Sequence, residues 1–358
     1  MALRQTQLHF FESALPQTEP PSTRYQGSKL KILPWIWETI GSLKFQSVLD
    51  AFGGTASVSY LLKTSGKAVT YNDYLKFNWF IATALIENSQ TRLSEPEIDF
   101  VLSRDPYITY DDFIYRTFRD IYFTDEENQW LDTVCQNIPR LGGRFQRALA
   151  YYALFQACIV KRPYNLFHRK NLYMRTAEVE RTFGNKSTWD TPFEEHFRTF
   201  AAEANAAIFD SRIPCRALCG DALQVPGHYD LVYVDPPYVS TKGVGVDYFD
   251  FYHFLEGMVD YTAWNQRIDY GKKHRPLKGP RSPWSYPQTT RAAFERLFER
   301  YADSILVISY RSDGIPSEEQ IISLLQHQNK TVQRHHFGQY KYALSTNGVS
   351  KEVVIIAT

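Results

Sequence analysis

A chain of 358 residues with 44% hydrophobic and 22% charged side chains is long enough to bury a full core and is composed like a soluble globular protein. Lys and Arg number 40 against 39 Asp and Glu, for a net charge of +1, so no overall basic character announces a polyanionic partner, and any nucleic-acid surface must come from local asymmetry. Four scattered cysteines exclude a disulfide framework, no apolar run approaches the roughly 20 residues of a membrane span, and nothing at the N-terminus resembles an export signal; the expectation is a reduced, cytoplasmic protein.

In chain order, residues 1–23 form a polar, Pro-containing lead-in. Short β-branched runs then predict strands at Ser47–Phe52, Ala68–Asn72, Cys215–Gly220, Leu231–Asp235, Ser304–Ser309, Thr331–Phe337 and Glu352–Ala357. Several of these end in Asp, Asn or Gly, which favour a turn at the strand's carboxyl end. Helical spacing marks Phe294, Leu297, Phe298 and Tyr301, and Ser317 with Gln320 forms a capping pair ahead of Ile321. Strands alternating with helices predict an α/β fold with a mostly parallel sheet covered on both faces. The stretch from about Ile81 to Ile213 breaks that rhythm. It carries few strand signals but helical spacing at Phe145, Leu149, Tyr152, Phe155 and Ile159, and it is too long for an ordinary connection. A helical insertion between the second and third strands is the expectation.

Cys215 and Cys219 have CxxxC spacing, but no His or second Cys pair stands nearby to complete a zinc site. All four cysteines read as reduced core or strand residues, and no metal is expected.

Three segments carry chemistry. The strand Leu231–Val234 runs into Asp235-Pro236-Pro237-Tyr238. Consecutive prolines fix φ and remove two backbone donors, leaving a stiff ledge with a carboxylate and a carbonyl as acceptors beside an aromatic ring. An aryl amine suits such a ledge, its N–H groups donating to the acceptors while Tyr238 stacks on the heterocycle. The segment Asp50-Ala51-Phe52-Gly53-Gly54-Thr55-Ala56 joins a strand to a helix through a Gly-rich turn, the layout of a nucleotide-type site. It fits neither GxGxxG nor GxxxxGK[ST], which counts against a nicotinamide dinucleotide and a nucleoside triphosphate. The second strand ends at Asn72-Asp73, where an acidic residue typically accepts from ribose hydroxyls.

Together with Arg24-Tyr25-Gln26-Gly27-Ser28-Lys29 and Gly220-Asp221, these segments resemble, in order, the α-group (Dam-like) DNA adenine-N6 methyltransferases. The resemblance implies a Rossmann-like methyltransferase fold with a seven-stranded sheet of order 3-2-1-4-5-7-6, the seventh strand antiparallel. It implies a catalytic domain from 1–80 and 214–358, with 81–213 a mainly helical insertion that recognises the DNA target. The implied reaction moves a methyl group from S-adenosylmethionine to the exocyclic amino group of a flipped adenine in double-stranded DNA, within a restriction-modification system whose endonuclease acts on the same site. By position, Asp235, Pro236, Pro237 and Tyr238 carry the catalysis. Tyr25, Gly27, Lys29, Asp50, Phe52, Gly54, Ala56, Asp73 and Asp221 form the cofactor site, with Lys29 near the cofactor carboxylate, Asp73 on the ribose and Asp221 on the adenine amino group. Ala56 stands where the family usually has a glycine.

A DNA face needs cations for phosphates. The segment 161–175 holds Lys161, Arg162, Arg169, Lys170 and Arg175 with Asn165 and aromatics and no acid. From Arg267 to Arg281, Lys272, Lys273 and Arg275 lie among Gly and Pro with only Asp269 for an acid, which reads as a mobile loop beside the active site, ordered on DNA. Two rival readings stay open from sequence: an RNA adenine methyltransferase, and a catalytically silent DNA-binding protein on the same scaffold.

Overall fold

The computed structural model describes residues 20–177, 186–240, 245–279, 282–339 and 351–358. Seven strands form one sheet: β1 (Ser47–Asp50), β2 (Ala68–Asp73), β3 (Arg216–Cys219), β4 (Leu231–Val234), β5 (Ile305–Arg311), β6 (Val332–Gln339) and β7 (Lys351–Ala357). Their spatial order is β3-β2-β1-β4-β5-β7-β6. The pairs from β3 across to β5 are parallel, and β7 runs antiparallel to both β5 and β6. This is the expected α/β architecture.

Alternate residues of the strands enter two separate cores, as the strand period of two requires. Val48, Val69, Leu231, Val307 and Val354 belong to one, and Leu49, Val232, Leu306, Val353 and Ile355 to the other. The near-continuous apolar strands are therefore explained by burial on both faces. Helix α1 (Leu33–Ile40) precedes β1, and α2 (Ser57–Thr64) crosses from β1 to β2.

The insertion follows α3 (Lys76–Ala82) with α4 (Glu95–Leu102), α5 (Phe113–Phe118), α6 (Asp125–Asn137), α7 (Arg144–Val160) and α8 (Phe193–Ala206). Helices α4 and α6 start in capping boxes, Ser94 with Glu97 and Thr124 with Glu127, which satisfy two orphan N–H groups each. Helix α7 is buried continuously from Ala148 to Val160 and packs against α3 and α8. Its side chains join the same core as Val48 and Val69, so the insertion and the sheet share one hydrophobic interior. Returning to the sheet, α9 (Tyr248–Met258) follows β4, α10 (Pro287–Arg300) leads into β5, and α11 (Glu318–His327) opens on the predicted Ser317–Gln320 box.

Among the described residues no helix is long and apolar enough to cross a membrane. Cys135, Cys158 and Cys215 are buried free thiols and Cys219 is an exposed one on β3, as expected. No group of His, Cys, Asp and Glu able to hold a metal occurs among the described residues.

Candidate active site

Strands β1 and β4 lie side by side, with Asp50 opposite Tyr233, and the winding reverses between them. That is where open α/β sheets place ligands. The turns leaving β1, β2, β3 and β4 there enclose a cavity of about 350 Å³. All four ledge residues and the predicted cofactor residues line it, except Ala56, which stands behind its wall.

On the β1 side, the Gly54 N–H donates to the Asp73 carboxylate at 2.9 Å, and the Tyr71 hydroxyl donates to the Gly54 carbonyl at 2.7 Å. Sequence alone does not single out Gly53, yet a Cβ there would sit 2.1 Å from the buried Tyr71 ring. Only glycine lets the loop lie that close to β2. The Asp73 carboxylate also accepts from Leu75 N–H at 2.8 Å and Asn78 Nδ2 at 3.2 Å, which fixes it at the rim. Asp50 is 1% exposed; its Oδ2 accepts from Ser59 at 2.7 Å, while Oδ1 is buried with no donor among the described residues. Burial pushes its carboxyl up to about 7 despite the Ser59 bond. An acceptor held in that way fits a cationic or N–H donor from a bound ligand. Asp221 spends one oxygen on the Leu223 N–H at 3.0 Å and also lines the cavity.

Ala56 has φ 62°, the left-handed region that glycine tolerates and alanine does not. The loop thus holds an alanine in a glycine-type conformation and carries the strain. Ala56→Gly should raise thermal stability, by about 1 kcal/mol or less, with cofactor affinity unchanged; a lower melting temperature would show that the buried methyl group matters more.

Before α1, Tyr25 stacks between Tyr252 at 4.4 Å and Tyr248 at 5.6 Å. Gly27 has φ +85°, and a Cβ would lie 2.4 Å from the Tyr248 hydroxyl. Tyr248, Phe249 and Trp284 supply further aromatic walls, with Trp284 edge-on to Phe52 at 4.8 Å. No sequence signal marks these three, because they reach the cavity from α9 and from the segment before α10.

The ledge rests on a buried ionic cluster. Lys29 Nζ lies 3.0 Å from Asp235 Oδ1 and 3.1 Å from Glu352 Oε1, and donates to the Tyr238 hydroxyl at 2.5 Å. Tyr238 in turn donates to Asp235 Oδ1 at 2.7 Å. Asp235 Oδ2 has no donor among the described residues, and Asp235 is the most exposed member of the cluster, with its side chain 17% accessible. Burial raises its carboxyl to about 6, Lys29 pulling down and Glu352 pushing up. Two placements go beyond the expectations. The Lys29 ammonium, which lines the cavity, also engages the ledge. The Tyr238 ring is buried, edge-on to Tyr310 at 5.5 Å, with its hydroxyl in the cluster, so it braces the ledge in this conformation instead of presenting a face for stacking.

The family model for D12 class N6 adenine-specific DNA methyltransferases matches residues 25–276. The chain belongs to this family. Type II methyltransferase M2.HphI of Haemophilus parahaemolyticus is 29% identical over 87% of this chain and 89% of its own length. Modification methylase LlaI of Lactococcus lactis subsp. lactis is 24% identical over 84% of the chain, and Type II methyltransferase M.FokI of Planomicrobium okeanokoites 26% identical over 85%. The chain spans about half the length of those two, 48% and 46%. Among the readings left open by the sequence, membership decides for a DNA adenine methyltransferase.

For a D12-class enzyme the DNA contacts matter next, and here the structure corrects the expected set. Lys161, Arg162 and Arg175 are buried and hold the insertion together. Lys161 bonds to the Trp189 carbonyl at 2.7 Å and pairs with Glu127 at 3.0 Å, while Arg175 grips the same carboxylate at 2.6 and 2.9 Å. Arg162 donates to the carbonyls of Leu166 and Tyr122, both at 3.1 Å, and to Asn171. None of the three can serve phosphates, because these internal acceptors already satisfy them.

Arg169 and Lys170 are exposed, Lys170 beside Asp120 at 2.7 Å, and Asn165 is partly exposed. In the second basic segment, 267–279 closes as a hairpin with an Ile268–Leu277 bridge and both side chains buried. The segment is thus a closed hairpin and not the open loop expected; Arg281 lies outside the described residues. Lys272 and Lys273 are exposed at its tip, and Arg275 folds back over Tyr270 at 5.0 Å. The Tyr122 hydroxyl ties the two segments together, 2.5 Å from the Phe167 carbonyl and 2.7 Å from that of His274. Gly279, closing the hairpin, abuts Phe249 of the cavity wall. The two basic segments are thus neighbours, not alternatives.

Proposed function

We propose that the Asp235–Tyr238 ledge holds the exocyclic amino group of a flipped adenine in double-stranded DNA while the β1–β2 side of the cavity holds the methyl donor. The observation that carries this is the open Asp235 Oδ2 beside a cavity whose other walls suit a nucleoside. The donor is S-adenosylmethionine, which supplies an electrophilic methyl group on a sulfonium. Asp73 takes its ribose hydroxyls, Asp221 its adenine amino group and Asp50 its ammonium, a cation that meets the carboxylate oxygen buried without a donor among the described residues.

The ledge works by positioning and electrostatics. Asp235 Oδ2 and the Pro236 carbonyl, which no described donor occupies, accept the two N–H bonds of the adenine amino group. That directs the nitrogen lone pair toward the methyl group and stabilises the positive charge that grows on nitrogen. Base flipping is required because the amino group is unreachable in a duplex, and Tyr248, Phe249 and Trp284 offer stacking surface to a flipped base.

Arg169, Lys170, Lys272 and Lys273 grip phosphates, with the exposed rings of Tyr164, Tyr173 and Tyr270 among them, and the insertion reads the target sequence. Replacing those four cations by alanine should flatten the salt dependence of DNA binding by about 0.9 in log–log slope for each phosphate no longer neutralised. An unchanged slope would remove this face from the DNA. The setting is the cytoplasm, in a restriction-modification system with an endonuclease of the same specificity, a reading supported by the Type II relatives. The direct test is transfer of labelled methyl groups with duplex DNA and structured RNA in competition. Label in DNA supports the reading; preference for RNA, or cofactor binding with no label in any duplex, overturns it.

A further inference from the structure

We infer that Glu352 is a positioning residue for the ledge, sharing Lys29 with Asp235 so that Asp235 keeps its strength as an acceptor. The inference rests on the proposed role of Asp235. Topology brings the residue there: β7 is antiparallel to β5, so its beginning lies at the carboxyl end of the parallel strands, with Glu352 opposite Arg311. Glu352 is fully buried, and its Oε1 receives Ser309 Oγ at 2.6 Å and lies 3.1 Å from both Lys29 Nζ and the Tyr238 hydroxyl. An acidic side chain in the run Glu352-Val353-Val354-Ile355-Ile356 contributes nothing to a hydrophobic core. Its desolvation is offset by the cation and two hydroxyls that meet it.

Without Glu352, the share of Lys29 that it holds would pass to Asp235. An undivided ion pair withdraws charge from the carboxylate and draws it down toward the ammonium, away from the amino group it must hold. With Glu352 present, Lys29 is divided between two carboxylates, and the second negative charge is felt at Asp235. Among the described residues, the other ionisable groups facing Asp235 are Tyr233 on β4, Tyr238, Asp50 on β1 and Tyr248 on α9. The hydroxyls of Tyr233 and Tyr248 stay neutral through the working range, burial holding each of them up. Asp50 titrates near Asp235 and repels it equally in wild type and variants.

The test is the pH dependence of single-turnover methyl transfer with saturating DNA. Activity needs ionised Asp235, so the wild-type rate rises with pH through an acid limb. Glu352→Gln removes a like charge and leaves Lys29 to Asp235. It should move that limb to lower pH and cut the plateau rate on the order of 10- to 10²-fold, with S-adenosylmethionine affinity within about twofold of wild type. Ser309→Ala keeps the Glu352 charge but removes its hydroxyl donor, so Glu352 draws harder on Lys29 and the limb should move to higher pH. If Glu352→Gln does not fold, the Ser309→Ala limb decides alone. An unmoved limb in the folded variants, or Glu352→Gln moving it upward, overturns the inference. Asp235→Ala distinguishes the failures: a dead Asp235→Ala enzyme beside an unmoved limb rejects only the role of Glu352, whereas an active one rejects the ledge itself.

Discussion

Asp235→Ala should lower the rate of methyl transfer on the order of 10²- to 10³-fold while leaving DNA affinity within a few-fold of wild type. The carboxylate is an acceptor whose worth grows as positive charge develops on the adenine nitrogen, so its loss falls on the transition state more than on the bound ground state. Removing it also leaves the buried pair of Lys29 with Glu352 in place, which still satisfies the ammonium. The fold should therefore survive, and single-turnover kinetics with separate DNA-binding titrations will report chemistry rather than misfolding. Because Asp50 Oδ1 and Asp73 stand on the other side of the cavity, cofactor affinity should change little. Methylation near the wild-type rate would show that the ledge does not hold the amino group.

Arg162→Ala should destabilise the protein by about 3 kcal/mol or more, a structural and not a DNA-binding defect. The guanidinium is 1% exposed. It satisfies the carbonyls of Leu166, Tyr122 and Arg169 together with Asn171, and lies over the rings of Tyr122 at 4.4 Å and Phe167 at 5.3 Å. Truncation leaves several buried acceptors without a donor, each costing about 1–3 kcal/mol where water cannot enter, and opens a cavity among aromatic rings. Chemical denaturation should show the loss, and DNA binding by the folded fraction should keep its salt slope. A variant of normal stability with a flattened slope would return Arg162 to the DNA face.

The sheet was legible because each strand carries its own signal. Runs such as Leu231–Val234 and Val353–Ala357 are apolar at successive positions, and burial on both faces demands that. Observed boundaries differ from the expected ones by one or two residues: β1 is Ser47–Asp50 against an expected Ser47–Phe52, where the backbone turns into the Gly-rich loop, and β5 is Ile305–Arg311 against Ser304–Ser309. The ledge and the Gly-rich loop were legible too, since Pro pairs and adjacent glycines restrict or free the backbone in ways that ordinary turns do not need.

Charge counting failed at 161–175. A Lys that meets Glu127 and two carbonyls looks, in sequence, like one that meets water. The signal that could have warned of it was α7, apolar from Ala148 to Val160 but for Gln156, which carries Lys161 and Arg162 inward with it. Glu352 had a signal as well, an acid heading an otherwise apolar strand, but its meaning needed the antiparallel turn of β7 to bring it under Asp235. Tyr248, Phe249 and Trp284 had none, being placed at the cavity by the packing of α9 and of the segment before α10.

The most direct measurement is nucleoside mass spectrometry of duplex DNA incubated with the protein and isotopically labelled S-adenosylmethionine. The label should appear in N6-methyladenine, at one adenine within a defined sequence context, and disappear with Asp235→Ala. Label in a methylated cytosine, or label in N6-methyladenine that persists undiminished in the variant, would refute adenine-N6 transfer at the Asp235 ledge.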